Sequence, residues 1–242
     1  MRTVIIVQAR MTSTRLPGKI IKQVLGKPLL AYQIERLRRI PHIDEIVIAT
    51  TTNESDQAVV NLCEELNVAC FRGSEEDVLA RYYGAAVQFQ ADIVVRITAD
   101  CPIIDPTICG QAISFLLENN DQYDYVRLDQ YPRGLDTEVF TFAVLEECWR
   151  QATAQPEREH VTPFIYHHPE RYRIKRLLCP VNYSHHRWTV DTPADFELIR
   201  RIIEELYPGN PEFTMQDTLA IFKKYPDCFF LNSTVHQKEY GE

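Results

Sequence analysis

Three permanent cations lie in one short loop that follows the first apolar run of the chain. The loop reads QARMTSTRLPGK, residues 8–19, and comes directly after a β-branched run. Ligands of open α/β sheets bind at the carboxyl ends of strands. A loop there can direct backbone N–H groups at a phosphate, while Arg10, Arg15 and Lys19 supply the positive charge that a triphosphate needs. A charge run can equally be a solvated loop, but the position after a strand favours phosphate binding.

Two aspartates follow other predicted strands. Asp100 comes after the run DIVVRIT, and Asp191 comes after HRWTV. Mg²⁺ prefers hard oxygen ligands and is usually held by one or two carboxylates together with substrate phosphates and water. Either aspartate could instead form a turn or precede a helix. Their similar positions predict that Asp100 and Asp191 bind Mg²⁺ on the same sheet edge as the basic loop.

The basic loop matches neither G-x-G-x-x-G nor G-x-x-x-x-G-K-[ST], so dinucleotide-binding dehydrogenases and P-loop NTPases lose support. The segment ARMTSTRLPGKIIKQVLGKPLL resembles the N-terminal signature of sugar-acid cytidylyltransferases, which include 3-deoxy-manno-octulosonate cytidylyltransferase and the CMP-sialic acid synthetases. Within that superfamily the chain is most similar to the SpsF-type spore coat polysaccharide biosynthesis proteins. That similarity lies in RGSEEDVLARYYGAA, VRITADCPIIDP, PRGLDTEVF, EREHVTPFIYHHPERYRI and RWTVDTPADFELI, in this order.

The resemblance implies a nucleotide-diphospho-sugar transferase (GT-A-like) fold, CTP as the nucleotide, Mg²⁺ as the cofactor and a homodimer. The implied activity is that of a cytidylyltransferase that joins CTP to a sugar or sugar-acid and releases pyrophosphate, for surface or spore coat polysaccharide biosynthesis. Two groups of residues are expected to act. The catalytic group is Arg10, Arg15, Lys19, Asp100 and Asp191, and the nucleotide-binding group is Ala9, Arg10, Ser13, Lys19, Gly73, Ser74, Arg81 and Thr98.

Within the nucleotide-binding group, Gly73 and Ser74 lie where the superfamily has its base-recognition loop. Ser74 and backbone groups near Gly73 could read the cytosine edge. Ser74 could also be the N-cap of the next helix, with Asp77 at the third helical position in an acidic capping box. The two roles are compatible, and the sequence favours neither.

By resemblance, a second set of residues faces the acceptor sugar. Arginines suit an acceptor carboxylate through bidentate pairing, whereas Asp136 and Glu138 suit hydroxyls or an amine. The same side chains could instead form an internal salt-bridge network. We predict that 121–186 is an insertion on the acceptor side or at a dimer surface, within one nucleotidyltransferase domain of residues 1–242. The expected acceptor-binding residues are Arg133, Asp136, Glu138, Arg158, His160 and Arg187.

Alternating strands and helices must position these residues. The runs TVIIVQ, EIVIAT, VACF and DIVVRIT alternate with amphipathic segments, which predicts a Rossmann-like three-layer α/β/α fold with a mostly parallel sheet. Beyond residue 120, strands are predicted at YDYVRL, TEVFTF, RYRIKRL and HRWTV. Thr192 and Pro193 predict the N-cap and first residue of a helix, and a last helix is predicted near Met215–Lys224.

The bulk composition limits the partners and the location. A formal net charge of −8 argues against a surface that neutralises nucleic-acid phosphates. Seven scattered cysteines without C-x-x-C spacing fit reduced thiols in the cytosol. The first apolar run is too short for a signal peptide, and no later segment reaches the length of a membrane span. These features predict a cytoplasmic protein with no nucleic-acid partner and no membrane span.

Two other functions are compatible with parts of this pattern. The first is a GT-A-type glycosyltransferase that uses a nucleotide-sugar donor, although such enzymes usually carry Asp-x-Asp and this chain has Ala99-Asp100-Cys101. The second is a catalytically silent scaffold or nucleotide sensor, which the intact set of basic and acidic residues disfavours.

Overall fold

A seven-stranded sheet forms the centre of the molecule in the computed structural model, which describes residues 1–236. The strands are β1 (Thr3–Gln8), β2 (Gln23–Val24), β3 (Lys27–Pro28), β4 (Glu45–Thr51), β5 (Ala69–Gly73), β6 (Ile93–Thr98), β7 (Tyr125–Asp129), β8 (Glu138–Thr141) and β9 (Ile174–Leu178). The helices are α1 (Leu29–Leu37), α2 (Gln57–Glu65), α3 (Val78–Gln88), α4 (Pro106–Glu118), α5 (Phe142–Gln151), α6 (Gln155–His160), α7 (Pro163–His167), α8 (Pro193–Leu206) and α9 (Met215–Lys224).

The strand order is β5-β4-β1-β6-β8-β7-β9, and β2 and β3 form a separate small hairpin. The strands β5, β4, β1 and β6 are mutually parallel, β8 runs antiparallel to both neighbours, and β9 pairs in parallel with β7. The mostly parallel α/β sheet predicted from the alternating sequence is therefore confirmed. The segment 121–186 contributes three of the seven strands to this same sheet.

The central strand β1 is apolar on both faces because helices cover both sides of the sheet. Ile5 and Val7 pack with α1, α2 and α4, whereas Val4 and Ile6 pack with α3, α5 and α7. A third apolar cluster joins α8 and α9 to the fully buried Trp188. The resulting three layers leave the carboxyl ends of β1 and β6 facing the same edge.

Side-chain caps set the starts of the helices beside the site. Thr192 caps α8 in a capping box with Asp195, and Pro193 is the first helical residue, so this prediction is confirmed. At α3 the alternative that Ser74 is the N-cap is wrong. The helix begins at Val78, and Asp77 is the N-cap that accepts from the Ala80 N–H at 2.9 Å.

The predicted strand HRWTV is also wrong. Its residues make one isolated bridge, between Arg133 and Arg187, and otherwise run as extended chain. The other three predicted strands after residue 120 are present as β7, β8 and β9, and the last predicted helix is α9. No helix in residues 1–236 combines the length and apolar character needed to cross a bilayer.

Candidate active site

A cleft of ≈ 560 Å³ opens at the edge where β1 and β6 end. Its walls come from the basic loop, the end of β6, the β7–β8 connection, α6 and the extended segment before α8. Most of the residues expected to act line this one space. They are Ala9, Arg10, Ser13, Arg15, Lys19, Thr98, Asp100, Arg133, Asp136, Glu138, His160 and Asp191.

At the centre of the cleft the Lys19 ammonium bridges two carboxylates. Its Nζ lies 3.2 Å from Oδ2 of Asp100 and 2.7 Å from Oδ1 of Asp191. All three side chains are mostly buried, with exposed fractions of 13%, 22% and 14% for Lys19, Asp100 and Asp191. The cation predicted for the phosphate loop therefore contacts both aspartates predicted to hold the metal.

The chain just before Lys19 explains how this side chain enters the cleft. Gly18 adopts a left-handed conformation with φ of 65°, which glycine tolerates readily, and a 3₁₀ turn (Lys19–Ile21) follows. Ile20 is almost fully buried and anchors the turn in the core. The Gly18 N–H also donates to the Met11 carbonyl at 3.0 Å, which closes the loop on itself.

The three charges reinforce one another. Burial alone would lower the pKa of Lys19, but attraction to Asp100 and Asp191 and the hydrogen bonds to them outweigh it and raise that pKa. Burial alone would raise the pKa of Asp100, but the Lys19 charge and donated hydrogen bonds, including one from Thr98 at 2.5 Å, lower it. Lys19 and Asp100 are therefore both charged at neutral pH.

The two aspartates are held close together by main-chain contacts as well as by Lys19. The carbonyl of Asp100 accepts from the Val190 N–H at 2.8 Å and from the Thr189 hydroxyl at 3.2 Å. These bonds join the loop after β6 to the segment that carries Asp191. They explain why two residues far apart in the sequence face one ammonium group.

Two guanidinium groups complete the charge around Asp191. Arg15 and Arg187 lie 3.0 Å and 2.9 Å from its Oδ2, and Arg187 also pairs with Asp195 at 2.8 Å. The cluster contains three cations, Arg15, Lys19 and Arg187, against three carboxylates, Asp100, Asp191 and Asp195. Its formal charge is therefore zero.

A smaller cavity of ≈ 370 Å³ adjoins the cleft on the side of β5 and α3. Ala9, Arg10, Arg81 and His160 line it. Arg10 is weakly paired, with its guanidinium 3.4 Å from Glu75, and burial lowers the pKa of His160, which favours the neutral ring. This cavity has room for a ring next to the basic loop.

Gly73 and Ser74 do not line either cavity. The Ser74 carbonyl accepts from Arg81, and the Ser74 hydroxyl accepts from the Asp77 N–H at 3.1 Å. The hydrogen bond from Arg81 to the Ser74 carbonyl orients the Arg81 side chain, which lines the smaller cavity.

Two expected acceptor-binding arginines lie outside the cleft. Arg158 donates to Asp77 at 2.8 Å and to the carbonyls of Trp149 and Ala152, so its guanidinium ties α6 to α3 and α5. Arg187 lies behind Asp191 and lines a different pocket. The structure thus uses both guanidinium groups within the fold.

Other cleft residues were not identified from the sequence. Arg127 lies with its guanidinium 5.9 Å from the Tyr166 ring centre and forms no ion pair within residues 1–236. Arg96 pairs with Glu138, which also accepts from Tyr125 and Thr162. The alternation of β7, whose polar residues point to one face, is the signal that could have identified Arg127.

The donor set fits Mg²⁺ when water and substrate phosphates complete it. Within the described chain, no three His, Cys, Asp or Glu side chains gather into a cluster that could hold a metal alone. Asp100 and Asp191 each present an oxygen within 3.2 Å of the same cationic nitrogen. Two carboxylates whose oxygens converge in this way supply the protein ligands of a typical Mg²⁺ site.

Comparison with known proteins finds a matching family model and similar chains. A family model described as Cytidylyltransferase matches residues 4–219. The spore coat polysaccharide biosynthesis protein SpsF of Bacillus subtilis is 31% identical over 92% of this chain and 95% of its own length. An uncharacterized protein of Methanocaldococcus jannaschii is 36% identical over 100% of this chain and 99% of its own.

The solved structures include a similar molecule. The structure of a cytidylyltransferase from Leptospira borgpetersenii superimposes with a TM-score of 0.92 at 31% sequence identity. The match covers 98% of this chain and 100% of that one.

Proposed function

This chain belongs to the cytidylyltransferase family, and we propose that it joins CTP to a sugar or sugar-acid to give a CMP-sugar and pyrophosphate. The observation that carries the proposal is the Lys19–Asp100–Asp191 cluster at the floor of a cleft lined by further cations. The name of the SpsF relative supports an acceptor used in polysaccharide biosynthesis. The resemblance in the basic loop supports CTP.

The chemistry is an in-line displacement at the α-phosphorus. An acceptor oxygen, having lost its proton to solvent water, forms a bond to the α-phosphorus as the bond to the leaving pyrophosphate breaks. Negative charge accumulates on the leaving group, and fixed positive groups stabilise it. Arg10 and Arg15 lie on the loop that would contact this charge, and Lys19 keeps the two aspartates from repelling the triphosphate.

The neutral cluster also supports Mg²⁺ as the cofactor. A triphosphate brings several negative charges to a site whose buried cations are already balanced by carboxylates. Asp100 and Asp191 would hold Mg²⁺ jointly with the phosphates, and the bound ion would polarise phosphate oxygens as a Lewis acid. The residues of this chain position the nucleotide around it.

The acceptor side of the cleft fits a polar, hydroxyl-rich molecule. Arg133 and Asp136 lie on its far wall, and the Asp136 carboxylate accepts from the Gly134 N–H at 2.9 Å. Arg127 adds a further cation to the cleft lining there. An acceptor that carries a carboxylate would be favoured by these two arginines.

The direct test is pyrophosphate release from each of the four nucleoside triphosphates with Mg²⁺, against a panel of sugars, sugar-acids and sugar phosphates. Asp100→Asn keeps the shape of the side chain and removes its charge, and we expect it to lower kcat by about a hundredfold or more. Asp217→Asn is the matched control, because Asp217 is the third helical residue in the capping box of α9 and does not line the cleft. Transfer from a nucleotide-sugar without pyrophosphate release would indicate the glycosyltransferase instead.

The cytoplasmic location and the homodimer belong to the same proposal. All seven cysteines are free thiols, and six of them are buried in the structure, which suits a reducing compartment. The dimer rests on the family resemblance. Sedimentation equilibrium at several protein concentrations measures it, and a concentration-independent monomer mass would contradict it.

A further inference from the structure

Behind the cleft, the Asp195 carboxylate accepts several hydrogen bonds at once. We call Asp195 and its partners Arg187, Asp191, Thr192 and Asn232 the hub. The Asp195 side chain is 0% exposed. Oδ1 accepts from Arg187 at 2.8 Å, and Oδ2 accepts from the N–H groups of Asp191 and Thr192 at 3.0 Å and 2.9 Å. Burial alone would raise the pKa of Asp195, but these donors outweigh it and lower that pKa, so the group stays charged.

This hub holds Asp191 at two points. The Asp191 N–H donates to Asp195, which fixes the main chain, and Arg187 donates to Oδ2 of Asp191 at 2.9 Å, which fixes the side chain. Arg187 can span the two aspartates because its planar fork also pairs with both oxygens of Asp195. Asp191 therefore has little freedom to turn away from Lys19.

Asn232 completes the hub from the far end of the described chain. It is 5% exposed, and its Nδ2 donates to Oδ1 of Asp195 at 2.8 Å and to the Arg187 carbonyl at 2.9 Å. A neutral amide is suited to this place, because it offers two hydrogens without adding a charge. The residue lies beyond the stretch 4–219 that the family model matches.

We propose that Asp195 and Asn232 are positioning residues for the nucleotidyl-transfer reaction. They hold Arg187, and through it they hold the Asp191 carboxylate beside Asp100 and Lys19. The inference rests on the proposed function for its kinetic consequence, but the contacts themselves do not depend on it. The segment after α9 is thus part of the support of the active site, although none of its residues up to 236 lines the cleft.

Two substitutions at Asn232 test the proposal. Asn232→Leu removes both donors. We expect kcat to fall by roughly tenfold to a hundredfold, which is the usual loss for residues that orient metal ligands. We also expect the Mg²⁺ concentration needed for half-maximal activity to rise. Asn232→Asp places a second carboxylate against Asp195. We expect activity of that variant to recover as the pH falls, because the introduced carboxyl becomes a donor again when it is protonated.

The matched control is Cys228→Ala. Cys228 is buried in the 3₁₀ turn Pro226–Phe230 that precedes Asn232, so its replacement removes packing without altering a residue of the hub. It should lose stability and keep kcat within about twofold. Asn232→Leu with unchanged kcat and Mg²⁺ requirement would overturn the proposal, as would an equal kinetic loss in Cys228→Ala.

Crystal structures of the wild type and of Asn232→Leu test the positioning role separately from the proposed cytidylyltransferase activity, because they show the position of the Asp191 carboxylate directly. If the wild type releases no pyrophosphate from any nucleotide, the proposed function fails, and the position of Asp191 still decides the inference. A carboxylate that has moved away from Lys19 in Asn232→Leu supports it. A carboxylate still in contact with Lys19 overturns it.

Discussion

Replacing Lys19 with methionine removes the ammonium group that lies between Asp100 and Asp191. The substitution keeps the length and apolar part of the side chain and removes its charge. Arg15 and Arg187 still neutralise Asp191, so the carboxylate that loses its counter-ion is mainly Asp100. The perturbation therefore leaves one partly buried carboxylate unpaired and close to another.

The expected cost in stability follows from distance and burial. Opposite charges about 4 Å apart attract by roughly 4 kcal/mol at the effective dielectric constant of a protein surface region. Desolvation offsets part of this attraction, and removing one partner of a buried pair costs about 3–5 kcal/mol. Because Asp191 keeps two partners, we expect Lys19→Met to lower the free energy of unfolding at neutral pH by about 3 kcal/mol.

The stability deficit of Lys19→Met should grow as the pH rises. In the wild type the pKa of Asp100 is lowered, so this group adds stability above its unfolded pKa of about 3.9 that is lost as the pH falls. In Lys19→Met burial dominates and raises that pKa. The variant should therefore match the wild type most closely near pH 4 and fall behind it as the pH rises towards 7.

Urea denaturation at pH 4.5, 6 and 7.5, with and without Mg²⁺, measures both effects. Mg²⁺ should stabilise Lys19→Met more than the wild type, because the ion no longer competes with the ammonium group. Lys22→Met is the control, since Lys22 lies on the same turn and contacts a ring, that of Phe196, instead of a carboxylate. A stability deficit that does not vary with pH, and no added response to Mg²⁺, would refute the assignment of Lys19 as the counter-ion.

Two further outcomes concern the segment around Trp188. Gly134→Ala should lower the free energy of unfolding by at least about 2 kcal/mol in thermal melts, because Gly134 has φ of 104° and an added Cβ would lie 2.6 Å from the Trp188 carbonyl carbon. Gly26→Ala is the control and should lower it by less, because Gly26 has φ of 75° but open space around it. Equal losses in the two variants would contradict the steric argument. Burial lowers the pKa of His186 to about 4, so the wild type should lose up to about 3 kcal/mol between pH 6.5 and 4 as the unfolded state takes up the proton. His186→Gln should flatten that loss while the exposed His42→Asn does not, and an unchanged slope in His186→Gln would contradict the buried neutral state.

The fold and the centre of the site could be predicted because both follow from the period and order of the elements. Alternating β-branched and amphipathic runs specify a parallel sheet, and residues after parallel strands meet at one edge. Lys19 and Asp100 follow β1 and β6, which are hydrogen-bonded neighbours, so topology brings the two loops that carry them to the same edge of the sheet. The Gly18 turn and the buried Ile20 then direct Lys19 into the cleft beside Asp100.

The partners of the arginines could not be predicted in the same way. Arg158 and Arg187 were expected to bind the acceptor because guanidinium groups suit carboxylates, and the structure shows them paired with carboxylates of the protein. A long side chain can reach several elements, and its partner depends on packing that a sequence pattern does not contain. Asn232 illustrates the same limit, because its two acceptors belong to residues 37 and 45 positions earlier.

The failure of HRWTV to form a strand has a physical cause that bears on function. Its apolar residues are buried as in a strand, but its backbone groups bond to two different loops. The Trp188 N–H donates to the Arg133 carbonyl at 2.7 Å, whereas the Val190 N–H donates to the Asp100 carbonyl at 2.8 Å. A ladder with a single neighbouring strand would use both groups on the same partner. Because the two N–H groups bond to different loops, the segment brings the β7–β8 loop and the loop after β6 to the same short stretch of chain. Asp191 follows directly at the point where the two loops meet.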